Sequence, residues 1–388
     1  MAHTSGLIAA TRRILAVCLP FAPFAVIAAV LVAGFAKGPF LYDFHGGLYG
    51  AGRDIVHGHS PYRPGFIAQQ AAVSRAGGEP ATIFSVPVYP PPALIAVVPL
   101  ALLPYKLAGL LWIAASVGAL LLTLRLLGVV DRRCYALAFA SWPIVHGLLL
   151  GAVTPFLCLC TAVAWRYRKR ALVAGGAVAA VAVAKLFLWP LAVWLVFQRR
   201  LRAAGFALLV ALGSTLAAWA AISFAGFTIY PRMLANLAYV SESAGVSLVA
   251  GLMRLGADEG PARVAALTAA LLLLLASARL GRARDGDRRA FTLAIVAALV
   301  ASPIVWPHYL ELLIIPIAVA SPRLSPLWWV PLLTWAAPVA QTRHHPWAIA
   351  PDLALVALVG FLATRPLDRP RRAVAAVPFG SGVKATRP

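Results

Sequence analysis

From Ile14 to Thr364 the chain is a succession of apolar runs broken only by short loops, and that pattern constrains its fold more than any other feature. A run such as ALVAGGAVAAVAVA, from Ala171 to Ala184, is continuous rather than alternating. It therefore reads as a helix and not as the strand of a membrane β-barrel. The chain is 62% hydrophobic and only 12% charged, where soluble domains carry about 25% charged residues. A soluble fold cannot hide so many apolar side chains. The expected class is an all-α polytopic membrane protein.

The formal net charge is +22, from 34 Lys and Arg against 12 Asp and Glu. Nucleic-acid binding would account for such a balance. The basic residues, however, sit in short loops between apolar runs, as the positive-inside rule requires, and no nucleic-acid partner is expected. The four cysteines show neither metal spacing nor a disulfide framework. They read as small packing residues. No cleavable signal peptide is evident, because the first run, Ile14 to Ala36, lacks a small-residue cleavage site.

Charge also orients the chain. With Arg12 and Arg13 in the cytoplasm, the first span is 14–36. The basic loops at Asp131–Arg133, Arg166–Arg170, Gln198–Arg202, Arg279–Arg289 and Arg323 then fall on the same side, with the tail after Arg365. Between them lie apolar segments at 107–128, 134–150, 153–166, 171–186, 188–198 and 203–226, and at 263–281, 290–305, 308–321, 325–341 and 348–364. This gives about twelve crossings with both termini cytoplasmic, turning on the outer side at Gly151, Trp189-Pro190, Trp306-Pro307 and Arg343-His344-His345. Seven of the eight histidines land on the outer side, although histidine was not used to set the topology.

Residues 1–364 are read as one membrane domain with large outer loops at 37–106 and 227–262. Residues 365–388, rich in Arg, Pro, Gly and Ala, are read as a basic disordered tail. Several spans fall short of the about 20 residues a full crossing needs. The breaks at Pro190 and Pro307 imply bent or half-depth segments around an internal cavity. The run 92–104, within the Pro-rich stretch from Pro80 to Pro104, is read as re-entrant or interfacial.

One stretch of the first outer loop concentrates ionisable groups: YDFHGGLYGAGRDIVHGHSPY, from Tyr42 to Tyr62. On a helix, positions 43, 47, 50 and 54 share a face. Asp43 and Asp54 would then stand about 16 Å apart, too far for the paired carboxylates of a glycoside hydrolase. A catalytic carboxylate here acts alone, as a general base toward a hydroxyl. Asp43, at the membrane edge, is that candidate. Arg53, His57 and Tyr62 are candidate substrate contacts, while Asp54 and His59 read as solvent-facing. His57 and His59 lack a third ligand at metal-binding spacing, so no metal is expected. The glycines are read as allowing close packing.

Two further groups stand out because they are buried by composition. Lys185, in AVAVAKLFLWP, is an ammonium among apolar residues; such a charge is expensive and marks a site for an anion, unless it snorkels to the interface. His308, in SPIVWPHYLELL, follows a Pro-kinked turn on the same side. Glu311, one turn deeper, is placed to pair with Lys185 or to support His308. An outward-facing base, a cation and a donor in a helical bundle suit transfer of a group from a lipid phosphate to a hydroxyl. A proton-coupled transporter would use the same residue types.

The sequence resembles glycosyltransferase family 87, polyprenol-phosphate-mannose-dependent mannosyltransferases of the GT-C superfamily. The likeness covers roughly 40–320 and rests on the Tyr42–Tyr62 stretch, VYPPPALIAVVPLALLP, LLLGAVTPFL, GGAVAAVAVAKLFLWPLAVWL and SPIVWPHYLELLIIP. It implies a GT-C-type bundle and an inverting transfer without metal or other cofactor. The donor would be a sugar, mannose before arabinofuranose, on a polyprenyl phosphate. The acceptor would be a hydroxyl of a cell-envelope glycolipid or lipoglycan. The implied location is a bacterial inner membrane, with the active site facing the periplasm or exterior. By the resemblance, Asp43 is the catalytic base, Lys185 meets the donor phosphate, and Trp306 and His308 match a Trp-x-His motif. The sequence departs from the family at Pro307, where an Asp is common, and at Tyr309, where a second His is common. It also departs at Gly151–Thr154 and at Gly245-Val246-Ser247. Tyr309 joins the candidate substrate contacts. The rival reading, a transporter or flippase of a polar lipid, expects inverted repeats, and none is visible. A third, a structural partner in an envelope assembly, leaves Asp43 and Lys185 unexplained.

Overall fold

The computed structural model describes residues 41–62, 64–76, 87–283, 285–337 and 346–365, with isolated helical positions at 25, 28 and 32. All secondary structure among these is helical. The first expected span, the Arg343-His344-His345 turn, the start of the Pro-rich stretch and the tail beyond Arg365 lie outside the described residues.

Four helices are long and apolar enough to cross a membrane: Tyr105–Leu126, Leu201–Ala221, Glu259–Leu280 and Trp347–Thr364. Their outward faces are rows of exposed leucine, such as Leu208, Leu209, Leu212 and Leu216 on one and Leu267, Leu271, Leu272 and Leu275 on another. Water would not tolerate such rows, whereas lipid favours them. A fifth candidate is the pair Arg132–Ala140 and Trp142–Leu150, bent by 63° at Ser141. Pro143 stands at the start of the second helix, where a missing N–H costs nothing. The described helices of spanning length thus number four, or five with the bent pair, and three of the other expected crossings, at 171–186, 188–198 and 308–321, correspond to shorter apolar helices.

The proline breaks shape those shorter segments. A continuous helix through Pro190 would set its ring against the carbonyl of Leu186. Instead the helix Ala171–Ala184 stops, Lys185 adopts an extended conformation at φ −147° and ψ 107°, and a single 3-10 turn leads into Pro190–Phe197. Likewise the helix Gly286–Ala301 ends before Pro303, and the chain resumes as a 3-10 helix at Pro307–Leu313. Both breaks lie at the same end of the bundle and border one cavity. The opposite ends of these helices carry the basic loops, which Asp287 ties together through Arg168 and Arg200.

The Tyr42–Tyr62 stretch is helical as far as Val56, but Asp43–Gly50 form a π-helix, followed by the α-helix Ala51–Val56. The apolar run expected to be re-entrant forms the helix Pro91–Ala101, packed against this stretch. Gly52 permits that approach, since a Cβ there would fall 2.9 Å from the Cβ of Ala101. The second expected loop, 227–262, is largely helical, as Tyr230–Ala244 and Leu248–Arg254.

Candidate active site

The site begins with how Asp43 is held. Its neighbour Phe44 is fully buried and stacks on Trp112 at 4.8 Å. The Trp112 indole N–H donates to the carbonyl oxygen of Gly151 at 2.9 Å. Gly151 caps the helix Trp142–Leu150 at φ 68°, where a side chain is disfavoured. A Cβ there would also come within 2.8 Å of Phe44 and 2.9 Å of Leu41. The turn after Gly151 and the root of the Asp43 helix are therefore fitted to each other.

Asp43 lines a cavity of about 460 Å³, within the usual range for a small-molecule site. Lys185, Trp306, His308 and Tyr309 line the same space. Five of the eight residues singled out in the sequence thus meet at one place, although they come from three separate stretches of chain. The remaining wall is mostly apolar, with Leu186, Phe187, Trp189, Leu234 and Ile304 among its members.

Lys185 is half-buried and does not snorkel alone. Its ammonium donates to the Tyr309 hydroxyl. It also lies 4.4 Å from the ring centre of Tyr89 and 4.6 Å from that of Tyr309, both within cation–π range. Phe187 stacks parallel to Tyr309 at 5.2 Å. His308 is 3% exposed, meets Tyr309 edge-on, and has His146 5.6 Å away. Its Nδ1 is buried without a hydrogen-bond partner among the described residues.

The Asp43 carboxylate accepts a hydrogen bond of 2.6 Å from the Tyr89 hydroxyl. Burial pushes its carboxyl above the ordinary range; the Lys185 charge and the Tyr89 hydrogen bond pull it back. A carboxylate whose basicity is raised by its surroundings, beside a cation, is suited to accepting a proton from a hydroxyl.

The other three of the eight fall elsewhere. Arg53 and His57 are exposed and outside the cavity lining; the His57 Nδ1 instead lies 2.7 Å from the Arg53 carbonyl oxygen. Tyr62 is buried beneath the site rather than in it, between Trp219 and Tyr230, with its hydroxyl donating to the Tyr89 carbonyl at 3.0 Å. Glu311 makes no ion pair with Lys185. It is fully buried behind His308, where both side chains pack on Gly147. Tyr89 and Tyr230 escaped the sequence reading altogether. Tyr89 sits in the VYPPP run that carries part of the family resemblance, and an aromatic before three prolines was its only signal.

Among the described residues, no group of three or more His, Cys, Asp or Glu is gathered as a metal would need. The model for glycosyltransferase family 87 matches residues 88–307, which include Tyr89, Lys185 and Trp306 and leave Asp43 and His308 outside. No curated protein and no solved structure matches the chain.

Proposed function

Because the chain belongs to glycosyltransferase family 87, we propose that it is an integral-membrane enzyme that moves a sugar from a polyprenyl phosphate to a hydroxyl of a glycolipid or lipoglycan. The sugar is mannose, with arabinofuranose the alternative, and the envelope of a bacterial cell is the setting. The chain forms a GT-C-type bundle of about twelve crossings, counting the short and bent segments. The cavity faces outward and both termini lie inside, as the loop charges favour.

The observation that carries this reading is one largely apolar cavity holding a base and a cation that acts on it, Asp43 and Lys185. The acceptor hydroxyl attacks C1 of the donor sugar as the bond from C1 to the phosphate oxygen breaks. The hydroxyl proton passes to Asp43, and the polyprenyl phosphate departs with its negative charge beside Lys185. Attack opposite the leaving group inverts C1. His308 and Trp306 contact the donor from the far wall, and Tyr309 steers the Lys185 ammonium. Arg53 and His57, exposed beyond the cavity, are assigned to the acceptor. Tyr62 contributes by supporting the wall.

The test supplies purified protein in lipid discs with polyprenyl-phosphate mannose, arabinofuranose or glucose and an extract of envelope glycolipids. Consumption of the mannosyl donor, with NMR showing the opposite anomer in the product, is expected. Donor crossing a vesicle unchanged, with no glycan product, would instead favour the flippase reading.

A further inference from the structure

We infer that Tyr89 is a positioning residue for the catalytic pair, holding Asp43 by its hydroxyl and Lys185 by its ring. This rests on the transfer reading above and adds a residue which that reading does not assign.

Local backbone chemistry restricts Tyr89 before any tertiary contact does. It precedes Pro90, which biases it to an extended backbone, and three prolines in a row stiffen the entry to the next helix. Pro90 is extended at φ −62° and ψ 153°, and the helix starts at Pro91. Two tyrosines then secure the backbone on either side. The Tyr62 hydroxyl donates to the carbonyl oxygen of Tyr89 at 3.0 Å, and the Tyr230 hydroxyl donates to that of Val88 at 3.1 Å. Tyr89 is 1% exposed and lies behind the cavity wall formed by Val88, Pro90 and Asp43.

Its hydroxyl proton points to Asp43. The ring face meets the Lys185 ammonium at 4.4 Å. One side chain therefore touches both charged groups. No ion pair joins Asp43 directly to Lys185, so the carboxylate is not neutralised by close contact. Both line the same cavity, which gives an acceptor hydroxyl and a phosphate room to meet them. The ionisable groups bearing on Asp43 are Lys185 and Tyr89, with Tyr309 joined through Lys185.

The test compares pH–rate profiles of wild type and Tyr89→Phe, which keeps the ring and loses the donor. Loss of this hydrogen bond to a charged group lowers kcat about tenfold or more. The acid limb of kcat moves to higher pH by about one unit, and the rate recovers in part at alkaline pH. The KM for the donor stays near wild type, because the ring still faces Lys185. Tyr89→Leu, lacking the ring as well, raises the donor KM severalfold in addition. A residue that only filled space would leave the acid limb where it was. If Tyr89→Phe fails to accumulate in the membrane, Tyr89→His, with a ring and an N–H, serves instead: a limb between those of wild type and Tyr89→Leu supports the role, and an unmoved limb overturns it. Should the wild type transfer sugar while Tyr89→Phe keeps its kcat and acid limb, Tyr89 loses this role and the transfer reading stands. Should the wild type consume no polyprenyl-phosphate sugar, the transfer reading falls and this inference with it.

Discussion

Two aspartates, at opposite ends of the same helices, sit among cations in different ways. At the basic end, Asp287 is saturated. Arg200 bonds both of its oxygens at 3.0 and 2.6 Å, Arg168 adds a bond at 2.8 Å and the Trp194 indole another at 3.1 Å. The guanidinium of Arg168 also lies 4.1 Å over Trp165 and that of Arg200 5.0 Å over Trp194. Planar, bidentate arginines suit such a fixed clamp. At the cavity end, Asp43 accepts one side-chain hydrogen bond among the described residues, and its cation is a lysine held at a distance by tyrosine rings. A carboxylate with every lone pair in use ties loops together. One left with acceptor capacity, facing an open space, can take a proton from something else.

That contrast can be broken by experiment. Among changes that leave Asp43 in place, the largest effect is expected for Lys185→Met, which removes the charge proposed to face the departing phosphate: kcat falls by about 10²–10³-fold, a size typical of losing one preorganised electrostatic contact. The sign of the accompanying pH effect comes from the same geometry. The Lys185 charge lowers the Asp43 carboxyl, so its loss raises it. With Asp43 as the proposed base, activity requires its ionised form and rises with pH through that value, so the acid limb of the variant is expected to move to higher pH. A limb that moved down, or stayed, would separate Lys185 from Asp43.

Asp287→Ala is the matching change at the other end. Two half-buried guanidinium groups lose their acceptor, so thermal unfolding in detergent or lipid discs reveals a loss of about 2–3 kcal/mol. The folded fraction keeps its wild-type kcat. A large fall in kcat with stability unchanged would erase the distinction between the ends. Gly151→Ala comes next. The left-handed backbone costs a side chain about 1–2 kcal/mol, and the new methyl also presses on Phe44 and Leu41. Lower stability is expected together with reduced kcat, because Asp43 moves with Phe44. The smallest effects belong to Arg53→Ala and His57→Ala, which should leave kcat in place and raise the acceptor KM by a few-fold, as rim contacts do.

Much of this was legible in the sequence because membrane chains ration their charges. An ammonium in an alanine and valine helix, and a histidine after Trp-Pro, stand out against their surroundings. The prolines beside them announced the breaks that open the cavity. Asp43 was legible as the first carboxylate after a long apolar run. Other features were not. Tyr89 meets Asp43 from 46 residues away, and nothing local distinguishes it from any aromatic before a proline. Arg53 and His57 read as candidate substrate contacts because they share the Asp43 stretch. The π-helical start, the solvent-facing end and the cavity wall that separate them depend on tertiary packing. The same holds for the 63° bend at Ser141. Loop charge tells which side a segment ends on, and not how straight it runs in between.

The chemistry proposed for the cavity depends on Asp43 as the base, and Asp43→Asn tests that most directly. Wild type and variant, inserted to equal amounts in lipid discs, would receive the same labelled polyprenyl-phosphate sugar and glycolipid acceptor. A base at this position predicts that transfer drops by about 10²–10⁴-fold, the contribution of a positioned general base, while the donor still binds. Transfer by Asp43→Asn at the wild-type rate would contradict it.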